Sequence, residues 1–143
     1  MPGGGEPQTD VCILVVDFDE VVAQAPDNAA NQKMLLAVPA GANFQLELLA
    51  VSYRANQLPV DASNNINCDL EWFDDSASDA ETDLITAYTL DDNRTALIMN
   101  NMWRGSQILE AGDSVNIEFD VTTPDTAGQG CAFIVEYRVL RHS

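Results

Sequence analysis

The sequence predicts an all-β fold: an antiparallel β-sandwich, jelly-roll-like, of about eight strands with a flexible N-terminal arm. Three observations carry this expectation. Apolar and polar residues alternate over several short segments, those segments recur at short spacing, and turn-forming residues separate them. Residues 114–121 (SVNIEFDV) show the alternation most cleanly, with Val115, Ile117, Phe119 and Val121 opposing Asn116, Glu118 and Asp120. Eight short strands in two packed sheets is the jelly-roll number.

Taken in order, residues 1–10 are rich in Gly and Pro, lack periodicity and predict an arm; residues 11–143 predict a single sandwich domain. Residues 11–18 (VCILVVDF) are almost continuously apolar, as expected of a strand covered on both faces. Residues 34–38 form a short apolar run closed by Pro39-Ala40-Gly41. In residues 43–53, Phe44, Leu46 and Leu48 point one way and Gln45 and Glu47 the other. Residues 66–73 place Cys68, Leu70 and Trp72 inward, with Asn67, Asp69 and Glu71 outward. Residues 83–90 and 94–99 are weaker strand candidates, whereas residues 131–140 (CAFIVEYRVL) are long and rich in β-branched and aromatic side chains. A capping-box pattern at Ser78-Asp79-Ala80-Glu81, with Ala80, Leu84 and Tyr88 four apart, leaves a short helix as the local alternative.

Charge narrows the function classes. Twenty-three acidic residues against six Lys plus Arg give a net charge of −17 in 143 residues. Such a surface repels phosphate backbones and anionic membranes, so neither nucleic acid nor membrane is an expected partner. The opening residues lack the basic and apolar regions of a signal peptide. Three cysteines, Cys12, Cys68 and Cys131, share the phase of core residues and predict buried thiols without a disulfide.

Catalytic chemistry finds little footing. The single histidine, His142, is next to the last residue, where a precise general base is poorly held. No glycine-rich phosphate loop is present, and Lys33 is the sole lysine. Acids cluster at Asp17, Asp19 and Glu20, and again at Asp74, Asp75, Asp79, Glu81 and Asp83. A hard cation such as calcium takes six to eight oxygen ligands, which the second cluster could supply, but that loop lacks EF-hand ligand spacing and a sharp-turn Gly, so it is expected to be a solvated loop without a metal. Asn93-Arg94-Thr95 matches a glycosylation triplet and is expected to be a turn. We therefore expect no catalytic residues, no cofactor and no metal.

Two segments stand out as partner-binding candidates. Residues 99–107 (MNNMWRGSQ) place Met102, Trp103 and Arg104 in a polar stretch expected to be a connector. These residue types are common at interfaces, although a Trp also serves to plug the end of a sandwich. The arm contributes Pro2, Gly3, Gly4, Gly5 and Pro7, too polar for a core and suited to wrapping a neighbour.

VPAG (residues 38–41), DLEWFD (69–74), EAGDSVNIEFDV (110–121) and FIVEYRVL (133–140) together give the chain a family resemblance. Over residues 34–140 it resembles the small β-sandwich structural proteins of tailed bacteriophages, especially head-decoration or capsid-cement proteins. That resemblance implies a non-enzymatic homo-oligomer, a trimer in preference, bound to the major capsid protein. It also implies assembly in the host cytoplasm and a place on the virion exterior. A tail or fibre component is a close variant, and a carbohydrate-binding jelly-roll module is the alternative of another class.

Overall fold

The computed structural model describes residues 10–21, 32–62, 66–78, 80–91, 93–122 and 124–141. Those residues form eight strands: β1 (Cys12–Asp19), β2 (Gln32–Ala37), β3 (Phe44–Arg54), β4 (Ile66–Asp74), β5 (Ala80–Thr89), β6 (Asn100–Leu109), β7 (Ser114–Val121) and β8 (Cys131–Arg141). Antiparallel pairing is nested, β1 with β8, β2 with β7, β3 with β6 and β4 with β5. The resulting sheets run β1-β8-β3-β6 (sheet A) and β2-β7-β4-β5 (sheet B). This is the jelly-roll wrapping, a long ribbon of strand pairs rolled so that its two halves face each other.

Alternation explains the core. Leu48, Val51 and Tyr53 of β3 and Phe133 and Val135 of β8 are buried in one cluster with Ile66, Cys68 and Leu70 of β4 and Val115 and Ile117 of β7. Phe18, Tyr53, Phe119 and Phe133 form an aromatic centre, with Phe18 stacked on Phe133 at 4.8 Å between ring centroids. Each such ring contributes about 1.5–3 kcal/mol by leaving water. Tyr53 carries a polar handle inside and satisfies it by donating from its hydroxyl to the carbonyl of Leu90 at 2.9 Å.

One end of the sandwich is closed by Asp113, a buried carboxylate. It accepts hydrogen bonds from the backbone N–H groups of Asp75 and Glu110, both at 2.9 Å, and from the indole of Trp72 at 3.4 Å. Asp74 caps the short 3-10 turn Asp75–Ala77 by accepting from the N–H and hydroxyl of Ser76. Asp74 is thus engaged in capping this loop. At the opposite end the loops after β3 and β7 meet in the isolated bridges Gln57↔Gln129 and Val60↔Thr126.

Three local expectations are corrected and one alternative is resolved. The 94–99 segment is turns and coil, and the strand lies directly after it, at β6. Leu97 takes a left-handed conformation at φ 64, which ends any extended run there. Residues 99–107 are therefore mostly strand: β6 is an edge strand, and edges accept polar residues on the side that faces water. The helix alternative after Ser78 gives way to β5, because Tyr88 and Leu84 pack on the sandwich core at strand spacing. Finally, β1 is not covered on both faces; it is an edge strand, with Ile13 and Val15 exposed. The Asn93-Arg94-Thr95 triplet does lie in a turn, closed by the Arg94 N–H donating to the Asp91 carbonyl at 3.0 Å.

Candidate functional site

The arm candidates Pro2, Gly3, Gly4, Gly5 and Pro7 lie outside the described residues. The other trio sits on β6. Met102 is 3% exposed and belongs to the core, and Trp103 is half-buried against that core. The Trp103 ring lies over Gly105, where an added Cβ would come within 2.9 Å of it. Arg104 is exposed and pairs with Glu136 of β8 at 3.1 Å. Solvent therefore reaches Arg104 and one flank of Trp103, while Met102 is enclosed.

A surface that periodicity did not single out lies on β1. Register with β8 sets Ile13 opposite Glu136, Val15 opposite Ile134 and Asp17 opposite Ala132, on the outer face of sheet A. Ile13 is 66% exposed and Val15 56%, and Val11 and Leu14 are partly open beside them. As the terminal strand of its sheet, β1 pairs only with β8 among the described residues. Among the described residues nothing pairs with its far side, which leaves those backbone groups available to another strand. Asp17, Asp19 and Glu20 border this apolar strip at its C-terminal end.

Sheet B presents the opposite chemistry on its outer face. Asp69 and Glu71 of the central strand β4 meet Glu118 and Asn116 of β7 and Asp83 of β5. Two bulges in β5 set this register, because β4 advances from Cys68 to Glu71 while β5 runs from Tyr88 back to Asp83. Ala87 sits in one of them with φ 53, and its N–H donates to Asp69 Oδ1 at 2.7 Å. Bulges of this kind re-aim side chains. Here they bring ligand oxygens of Asp69, Glu71 and Asp83 within 4.8 Å of one another.

Glu71 was expected to face water. It does lie on the outer face, yet it is 1% exposed. Its position on the central strand lets side chains of β5 and β7 close over it. Burial is the largest cause raising its pKa to about 9, followed by the nearby Glu81 carboxyl and the charges of Glu118 and Asp83. The Asp83 carboxyl is also pushed up, by burial first and then by Asp69 and Glu81.

A shallow pocket of about 220 Å³ beside the Asp113 end is lined by Trp72, Asp74, Ser76, Gln107, Ile108, Glu110 and Asp113. Its polar groups are largely occupied within the chain: the Trp72 indole and both Asp113 oxygens are hydrogen-bonded there. Among the thiols, Cys68 and Cys131 are buried and Cys12 is half-buried, all without a disulfide. Burial pushes the Cys68 thiol up and holds that of Cys131 at about 11. None of the described helices is long and apolar enough to cross a membrane.

Comparison of the chain with protein-family models, with curated proteins and with solved structures returned no match.

Proposed function

We propose that this chain is a non-enzymatic structural protein that docks on the outside of a viral shell, as head-decoration proteins of tailed bacteriophages do. The observation that carries the reading is the apolar strip of Ile13 and Val15 on an edge strand of a chain with net charge −17. Over the acidic surface, charge opposes contact between like surfaces; this strip, like the exposed Leu97-Ile98-Met99 turn, instead gains about 1–2 kcal/mol for each side chain taken out of water. Acids at its border suit a partner whose apolar surface is rimmed by basic groups, and the open strand edge suits an added strand.

The jelly-roll fold is compatible, since viral capsid domains use it, though so do lectins. The sequence resemblance favours the shell and makes the major capsid protein the partner, with the chain itself trimeric. A tail or fibre protein would use the same strip. Carbohydrate binding is less well supported, because Trp72 and Trp103 both rest against the core instead of standing out as stacking platforms.

Sedimentation of lysate from cells that produce the chain tests the reading. Particles of capsid size pelleted through a sucrose cushion are expected to carry the chain in many copies. A chain that stays wholly in the supernatant while such particles pellet would overturn it.

A further inference from the structure

We propose that the outer face of sheet B holds a calcium site, with Asp69, Glu71 and Asp83 as its carboxylate ligands. Acidic side chains on a sheet surface ordinarily spread into water, and a cluster of them alone says nothing. Glu71 behaves otherwise: it is almost wholly shielded from solvent, and its Oε1 accepts no hydrogen bond. A carboxyl oxygen in that position loses its water without a replacement. Directly across the β4–β7 pair, Asn116 turns up a second buried oxygen, Oδ1, that also lacks a donor.

Oxygens short of donors, gathered on one face, are the complement of a hard cation. Among the described residues no Lys or Arg forms an ion pair with Asp69, Glu71 or Asp83; the ion pairs Arg104–Glu136 and Arg138–Glu47 both lie on sheet A. The three carboxylates have ligand oxygens no farther apart than 4.8 Å. Two oxygens on opposite sides of calcium, each at about 2.3–2.6 Å, stand about 4.6–5.2 Å apart, whereas magnesium at about 2.0–2.1 Å requires about 4.0–4.2 Å. Calcium therefore fits the span with less inward movement of the strands. Water fills the positions that the side chains leave, as it does in most sites of this kind. The bulges of β5 gain a purpose, since they set Asp83 across from Glu71 and let Ala87 hold Asp69 in place.

The experiment is thermal unfolding of the full chain at pH 8, stripped with EDTA and then titrated with calcium chloride. At calcium one hundred times its Kd the melting temperature is expected to rise by on the order of 5 °C and to saturate. Magnesium, or sodium chloride at matched ionic strength, is expected to give much less. Both Glu71→Gln and Asp83→Asn are expected to lose most of the calcium increment, and one of the two suffices if the other does not fold. Asp17→Asn, a charge-matched change on sheet A, is expected to keep it. The proposal is overturned if calcium does not shift the wild-type melt. It is equally overturned if magnesium and plain salt match calcium, which would be screening of net charge, or if a folded site variant retains the full increment.

Discussion

Glu71→Gln in the cation-free protein isolates the electrostatic stress on sheet B. The Glu71 carboxyl has its pKa raised from 4.5 to about 9, with burial as the first cause. Between those two values the unfolded chain has released the proton and the folded chain keeps it. Folding therefore weakens as pH rises through this window, by at most about 1.4 kcal/mol per pH unit for one proton. Water close to a sheet surface screens the charges, so the accumulated loss is about 2 kcal/mol by pH 9. Gln cannot ionise and lacks this slope. In EDTA, urea or thermal unfolding from pH 5 to pH 9 should show the variant gaining on the wild type steadily, to a lead of about 4–8 °C in Tm. A lead that is flat across the window would refute the stressed carboxyl, as would a wild type that stays ahead at pH 9.

Two further outcomes follow from packing. Trp103→Ala should lower stability by about 2–3 kcal/mol, read by urea unfolding of the isolated chain, because its ring is half-buried against the core; an unchanged midpoint would make it a surface group instead. In native buffer a thiol reagent should modify Cys12 at the sheet edge well ahead of Cys68 and Cys131, which should react only on unfolding, as mass spectrometry of timed aliquots would show.

Strand count and sheet type were legible because β4 and β7 alternate residue by residue, and a two-residue period admits one reading. The order of strands was not, since nested pairing depends on contacts distant in sequence. β1 misled because an apolar run looks the same whether both its faces are covered or one is left exposed; only its place at the end of sheet A separates the two. β6 was hidden by Asn101, Arg104 and Ser106, polar residues that an edge strand tolerates. Glu71 was placed on the correct face, yet its burial could not be read. That burial depends on the cross-strand register, and the β5 bulges that set it leave no local signature.

Edge docking by β1 can be tested by adding purified chain back to shells that lack it and measuring occupancy after sedimentation. The Ile13→Lys, Val15→Lys double variant places two charges on an exposed strand edge, a change that sandwich folds tolerate. It is expected to melt within about 2 °C of the wild type, since both side chains already stand in water, and to lose at least about tenfold in affinity, from about 1–2 kcal/mol for each anchor. Undiminished occupancy by the folded double variant would contradict docking through β1.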